Sequence, residues 1–252
     1  MRATRIQKTT DALVIGESTL RENDKVLTLL TRDFGVIRAF ASGAKSMKSK
    51  RFAACTLFSY AHFTLAESGD TYKVSEAVLE KSFFAAAEDI VVYSLARYLC
   101  DVIAYLVPEQ AESESFLRLI LNSFYYLVEE KREPQLIKAI TELRIAVLAG
   151  FAPNLIACAG CSVYESPMMF LNASTGELYC SECRGEDSTV LIPVDPTMLS
   201  ALRHIVYCPF EKLYRFTVPQ EAAARLSRLT ERYLSLQCEH HFSALNFYHS
   251  LF

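Results

Sequence analysis

Four cysteines in two C-x2-C pairs constrain this chain more than any other feature of its sequence. The pairs are Cys158 with Cys161 and Cys180 with Cys183, and eighteen residues separate them. Each pair fits a tight turn that aims two sulfurs at one point, and the residues between suffice for a hairpin that brings the pairs face to face. Four thiolates leave no coordination position for water, so the pattern predicts a structural zinc site. Iron in the same sulfur cage, disulfides or free thiols are the alternatives.

The remaining four cysteines occur singly, in apolar or mixed segments: Cys55, Cys100, Cys208 and Cys238. The first ten residues carry basic side chains but no apolar core follows them, so they do not read as a secretory signal. No apolar run approaches the roughly 18 residues that span a bilayer. We therefore expect a cytoplasmic protein without a membrane segment, in which the single cysteines are buried, reduced thiols.

Charge is distributed unevenly along the 252 residues, whose net charge is −3. Residues 1–60 contain 11 Lys and Arg against 5 Asp and Glu, which gives +6, whereas the rest of the chain carries −9. A basic N-terminal region on an acidic body indicates that this region meets an anion such as a nucleic acid.

The first eighty residues alternate between apolar and polar residues in short runs separated by turn residues. Strands are predicted over residues 9–20, 34–41, 57–66 and 72–79, and a short helix capped by Asn23 is predicted over Asp24–Thr31. Several short strands with one small helix are typical of a small antiparallel barrel, and an OB-fold is the leading candidate. Residues 1–81 are therefore expected to form one domain.

Beyond residue 82 the apolar residues recur at helical spacing. Helices are predicted over residues 88–107, 113–130, 135–149, 195–206 and 219–238, with a short helix or tail at the end. The cysteine module, at about residues 153–192, interrupts this helical domain of residues 82–252. The predicted class is α+β: an N-terminal OB-fold β-barrel, then an all-α helical domain with an inserted four-cysteine zinc module. A module this small needs the metal for its folding free energy.

The segment Gly43–Arg51 lacks apolar periodicity and contains Lys45, Lys48, Lys50 and Arg51 without an acidic residue. It is either a solvated surface loop or a loop that contacts nucleic-acid phosphates, in which case binding weakens with salt. Phe40, Phe52 and Phe58 could stack on bases, but the core of a small barrel is the simpler place for them.

Signatures of catalysis are missing from the sequence. There is no phosphate-binding G-x-x-x-x-G-K-[ST], no G-x-G-x-x-G, no G-x-S-x-G and no H-E-x-x-H. The zinc deaminases combine H-x-E with one C-x-x-C, and this chain has no H-x-E. We therefore expect a protein without catalytic residues.

Several segments together resemble the RecO family of bacterial recombination mediators. The most specific are the two that lead into the cysteine pairs. The segments are Thr10–Val14, Arg21–Thr31 with Gly35, Gly43–Lys45, Thr141–Pro153 and Thr175–Cys180. The resemblance implies an N-terminal OB domain and a helical domain with an inserted zinc finger.

The resemblance also implies a role in DNA repair. RecO proteins bind single- and double-stranded DNA, anneal complementary strands, and act with RecR, often with RecF, to load RecA onto DNA coated by single-stranded-DNA-binding protein. They also bind the acidic C-terminal tail of that coating protein. Carried onto this chain, DNA phosphates would meet the basic loop together with Arg21 and Arg38, and the four cysteines would hold zinc. A zinc-stabilised adaptor that acts only through protein–protein contacts is the alternative function.

Overall fold

A computed structural model describes residues 7–20, 22–68, 71–185 and 189–251 of the chain. Contacts divide the chain into two compact units. The first comprises Met1–Lys131 with Phe242–Phe252, and the second comprises Arg132–His241. Within the described ranges, no helix is both long enough and apolar enough to cross a bilayer.

The first unit is built on a closed five-stranded barrel of the OB type, as the sequence predicts. Neighbouring strands follow the order β1-β2-β3-β5-β4, and only the contact between β3 and β5 is parallel. The strands are β1 Gln7–Thr19, β2 Lys25–Thr31, β3 Val36–Ala41, β4 Ser59–Ser68 and β5 Thr71–Ser82. Closure leaves the barrel without the exposed sheet edges of an open sheet.

Alternation along the strands places one apolar set inside the barrel. Small residues such as Ala12 and Ala39 share this core with large ones such as Phe63 and Leu65, and all four are fully buried. Alternating small and large side chains fill a narrow barrel without voids. The barrel interior is therefore a packed core, and ligands can reach only its outer surface and its loops.

The predicted helix over Asp24–Thr31 is wrong, because this segment is strand β2. Its sequence, KVLTLLT, fits both periods, since leucines at alternate positions also recur near one helical turn. The barrel decides the outcome: β2 pairs with β1 on one side and β3 on the other. Two ladders of hydrogen bonds outweigh a helix too short to be stable alone.

Helices complete the first unit. They are α1 Ile90–Leu106, α2 Glu114–Val128 and α6 Ser243–His249, with a 3-10 turn at Phe84–Glu88. Asp89 caps the start of helix α1, since its carboxylate accepts hydrogen bonds from the backbone N–H groups of Val91 and Val92. A proline at position 108 follows the end of α1.

The second unit combines helices with a small sheet. Its elements are α3 Pro134–Leu148, β6 Met169–Asn172, β7 Leu178–Cys180, β8 Leu191–Val194, α4 Pro196–Tyr207 and α5 Gln220–Cys238. The antiparallel pair β6 and β7 is the hairpin predicted between the two cysteine pairs. The module lies between the third and fourth helices, as expected from the sequence.

A buried ion network joins α3 to α5. Lys138 Nζ lies 2.8 Å from a carboxylate oxygen of Glu142 and 2.8 Å from one of Glu231, and the Lys138 and Glu142 side chains are fully buried. The hydroxyl of Thr230 donates to Glu142 at 2.7 Å. Arg144 donates to the carbonyls of Ile205 and Val206, at the end of α4. Polar residues of the segment Thr141–Pro153 thus hold helices together.

The two compact units divide the chain along a different line from the sequence pattern. Helices α1 and α2 contact strand β1, and α6 contacts α1, so all three group with the barrel. The domain limits 1–81 and 82–252, with the insertion at about 153–192, stay a prediction.

Candidate metal centre and nucleic-acid interface

The four cysteines of the two C-x2-C pairs converge on one point. The Sγ atoms of Cys158, Cys161, Cys180 and Cys183 all lie within 4.8 Å of one another. The Sγ atoms of Cys161 and Cys180 are 3.7 Å apart. Sulfurs bound at about 2.3 Å to one tetrahedral centre lie about 3.8 Å apart. The arrangement therefore fits a tetrahedral metal ion.

Two tight turns supply the geometry. The N–H of Ser162 donates to the carbonyl of Cys158, and the N–H of Cys183 donates to the carbonyl of Cys180. A side chain on Gly160 would place its Cβ 2.8 Å from the Cβ of Cys183. The first turn therefore requires glycine, because a larger residue would push the second pair away.

Hydrogen bonds shift the pKa values of the cysteine thiols in this cluster. Desolvation raises the pKa of Cys158, but hydrogen bonds from the backbone N–H groups of Cys180, Cys161 and Gly160 outweigh it and lower that pKa to about 6. The Cys180 N–H lies 3.3 Å from this sulfur. Hydrogen bonding to Cys161 and Cys180 raises the pKa of Cys183 to about 12, because these bonds stabilise the protonated thiol. A divalent cation would displace these protons.

Four sulfur ligands complete a tetrahedron and leave no open position for a reacting water. Cys158 and Cys180 are buried, whereas Cys161 is exposed and Cys183 half-buried. The centre can therefore hold a metal and fasten the module, but its ligand set offers no place for a substrate.

The four single cysteines lie apart from this centre as free thiols. Cys55, Cys100 and Cys238 are buried as predicted, whereas Cys208 is only half-buried. Burial raises the pKa of Cys55 to about 11 and that of Cys100 to about 12. Such thiols are inert at neutral pH, because the thiolate is the reactive form.

The basic loop Gly43–Arg51 follows β3 directly and folds into successive turns. Lys45, Lys48 and Lys50 are exposed along it. Its first residues are fixed by Asp24, whose carboxylate accepts from the Gly43 N–H at 2.9 Å and from the hydroxyl of Ser42 at 3.1 Å. Three ammonium groups therefore project from an anchored backbone.

Arg51 has different surroundings from the lysines. It is half-buried, and its guanidinium donates to the carbonyls of Val74 and Ser42, each at 2.8 Å. These bonds tie the end of the loop to its beginning and to strand β5. Arg51 thus anchors the loop, a role that its position in a basic run does not reveal.

Arg38 lies on the outer face of β3, five residues before the loop. It is exposed and borders a cleft of about 550 Å³ that Arg97 and Tyr93 of α1 also line. Neither α1 residue can be predicted from the sequence, because no local motif links a helix to strands so distant in the chain. Arg21 lies outside the described residues.

The three phenylalanines near the loop divide between two environments. Phe58 is 2% exposed, so it belongs to the core as expected. Phe40 and Phe52 are half-buried, and the ammonium of Lys25 lies 5.7 Å from the centre of the Phe52 ring. Phe40 and Phe52 therefore keep part of their surface accessible.

Comparison with known proteins identifies two matching family models. The family described as "Recombination protein O N terminal" matches residues 1–83, and "Recombination protein O C terminal" matches residues 87–245. A relative from Acetivibrio thermocellus is 27% identical over 242 residues, 96% of each chain. One from Caldicellulosiruptor bescii is 25% identical over 239 residues, covering 95% of this chain and 96% of its own. Both relatives are called DNA repair protein RecO.

Proposed function

This chain belongs to the RecO family, and from that premise we propose that it is a recombination mediator. It binds single- and double-stranded DNA, anneals complementary strands and, with RecR, helps to load RecA onto DNA coated by single-stranded-DNA-binding protein. It does so without catalysing a reaction, in the bacterial cytoplasm and on the nucleoid when bound to DNA.

The basic loop is the observation that best supports DNA binding. Lys45, Lys48 and Lys50 are exposed, and the loop that carries them is held at both ends by Asp24 and Arg51. Ammonium groups that meet phosphates release condensed counterions, which drives binding without regard to sequence. Because the backbone is already fixed, binding sacrifices little conformational entropy.

Annealing follows from the same charges. Two strands repel each other through their phosphates, and a basic surface that neutralises part of both charges lowers this barrier. Contacts to the backbone leave base edges free to pair. The activity therefore requires cations and an accessible strand, and no general acid, base or nucleophile.

Zinc is the metal that we assign to the four cysteines. A cage of four thiolates suits zinc or iron among the common metals, and zinc needs no redox partner. The ion would fasten the two turns of the module, which has too small a core to fold without it. Metal analysis of the purified protein decides between zinc and iron.

For the protein partners we propose RecR, the acidic C-terminal tail of single-stranded-DNA-binding protein, and, for some reactions, RecF. A cleft of about 230 Å³ in the second unit combines Arg225, Arg228 and Arg232 with an apolar floor that includes Met198 and Leu229. Arg228 is exposed. Guanidinium groups around an apolar floor suit a peptide that is both acidic and apolar, which supports the tail as its occupant.

Annealing of complementary oligonucleotides across a salt series tests the proposed function. The variant Lys45→Ala/Lys48→Ala/Lys50→Ala should lose most of the activity. Its log–log salt slope for single-strand binding should be smaller by about 2, since each phosphate contact contributes about 0.7. Arg51 is left intact so that the loop keeps its anchor.

A control variant removes the same charge elsewhere: Lys131→Ala/Lys212→Ala/Arg215→Ala, three exposed residues. It should anneal like the natural protein. Equal losses in both variants would mean that total charge, rather than the loop, drives binding. A natural protein that binds no DNA at low salt would contradict the proposal and favour the adaptor function.

A further inference from the structure

Three neighbouring strands align one row of residues on the outside of the barrel. In register, Gly16 of β1 lies opposite Thr28 of β2, which lies opposite Arg38 of β3. Ser18 of β1 and Val26 of β2, each two residues from the first row, pair with each other and form the next row on the same face. These rows form the floor of the cleft of about 550 Å³.

A β-bulge attaches helix α1 to this floor. The pairing of β1 with β2 skips Ile15, since Val14 pairs with Leu29 and Gly16 with Thr28. The Ile15 carbonyl accepts a hydrogen bond from Arg97 Nη1 at 2.8 Å. Bulges often re-aim groups beside functional sites, and this one fixes Arg97 at the side of the cleft.

Among the described residues that line the cleft, one cation has no counterion. Glu17 is paired with Lys25 at 2.8 Å, and Arg97 is paired with Asp101 at 3.0 Å. Arg38 is exposed and has no hydrogen bond or ion pair with any residue in the described part of the chain. An anion that enters the cleft would therefore meet the guanidinium of Arg38.

The shape of the cleft suits one nucleotide. A Cβ on Gly16 would lie 3.3 Å from the Cβ of Thr28, so glycine keeps the floor open. Leu57 and Tyr93 line the cleft and give it an apolar part that can receive a base. A volume of a few hundred Å³ is typical of sites for ligands of nucleotide size.

We propose that this cleft takes a single unpaired nucleotide of a DNA strand. Arg38 binds the phosphate, the sugar crosses Gly16 and Thr28, and the base lies against Tyr93 and Leu57. The inference rests on the proposed DNA binding and adds a selection to it. A base that is stacked and paired within a duplex cannot enter, so the cleft favours single strands. The basic loop, in contrast, binds both single- and double-stranded DNA.

Two variants test the cleft without touching the loop. Thr28→Trp fills the floor at constant charge, with Val78→Trp as a control that adds the same side chain at an exposed position of β5 outside the cleft. Arg38→Gln removes the free cation, with Arg32→Gln as a control, since Arg32 is exposed but paired with Asp11. Circular dichroism verifies that each variant folds.

Fluorescence anisotropy with a thymidine oligonucleotide and a duplex of equal length gives the readout. Thr28→Trp and Arg38→Gln should each weaken single-strand binding about tenfold and change duplex binding less than twofold, whereas both controls should bind like the natural protein. An abasic strand offered to the natural protein should bind about as weakly as thymidine binds to Thr28→Trp. This last arm needs no mutant protein.

Three results would overturn the inference. Equal losses for strand and duplex would make Arg38 an ordinary phosphate contact. An abasic strand that binds as well as thymidine would remove the base from the cleft. Full displacement of the oligonucleotide by dTMP would assign the cleft to free nucleotides. In each case annealing by the natural protein would still stand, so failure of the cleft and failure of the proposed function are distinguishable.

Discussion

Replacing Lys138 by Met tests whether the buried ion network between α3 and α5 stabilises the second unit. Lys138 and Glu142 are fully buried, with Nζ and the carboxylate oxygen 2.8 Å apart. Methionine fills a similar volume but leaves Glu142 without this cation. A bare carboxylate is too costly to bury, so we expect Glu142 to take up a proton in the variant.

The cost of that proton sets the size of the effect. An exposed glutamate in the unfolded chain has a pKa of about 4.3. Keeping the carboxyl protonated at pH 7 costs about 1.4 kcal/mol for each of about 2.7 pH units, or about 3.8 kcal/mol. At pH 5 the same cost falls to about 1 kcal/mol. The folded variant binds more protons than its unfolded state, so its stability falls as the pH rises.

Thermal unfolding followed by circular dichroism at pH 5 and pH 7 measures this difference. At pH 7 the Tm of Lys138→Met should fall by roughly 7–15 °C relative to the natural protein, and at pH 5 by only a few degrees. The double variant Lys138→Met/Glu142→Leu should recover most of the loss, because it removes both charges. Equal losses at both pH values, or a double variant no better than the single one, would refute the argument.

Three further changes probe the metal centre, a backbone contact and the loop anchor. Cys180→Ser should release the metal and unfold the module while the barrel melts as before; unchanged metal content and melting would contradict this. Gly35→Ala should cost several kcal/mol, because Gly35 has φ 69° and its Cβ would meet a backbone carbonyl oxygen at 1.9 Å. Gly150→Ala, with φ 92° and open space around the Cβ, should cost only about 1 kcal/mol in a comparison of urea midpoints. Arg51→Met should lower the Tm by a few degrees through the loss of its bonds to backbone carbonyls, whereas Lys48→Met should leave the Tm unchanged and reduce only DNA binding.

Features that depend on local spacing could be predicted from the sequence. Two short spacings are enough to predict the four cysteines of the candidate metal centre, and periodicity is enough to predict most strands and helices. Strand β2 was missed, because its leucines satisfy both periods and only its partners β1 and β3 decide between them.

Features that depend on tertiary contacts could not be predicted. Arg51 and Lys48 are equivalent in a basic run, and only the nearby carbonyls of Ser42 and Val74 separate an anchor from an exposed cation. Similarly, nothing near Arg97 in the sequence points to the bulge at Ile15 that receives it. Such roles arise from contacts between segments distant in the chain.

The position of α6 has a consequence for synthesis of the protein. Phe242 is 3% exposed, and its ring packs edge to face against Tyr98 and Tyr105 of α1. All of the second unit lies between these partners in the chain. Most of the first unit is therefore synthesised before the second unit, but the first unit is completed after it. Until Phe242 and α6 emerge from the ribosome, the aromatic surface of α1 stays uncovered. A nascent chain stalled near residue 240 would expose that surface, which makes this stage of translation the point at which chaperone binding and aggregation should peak.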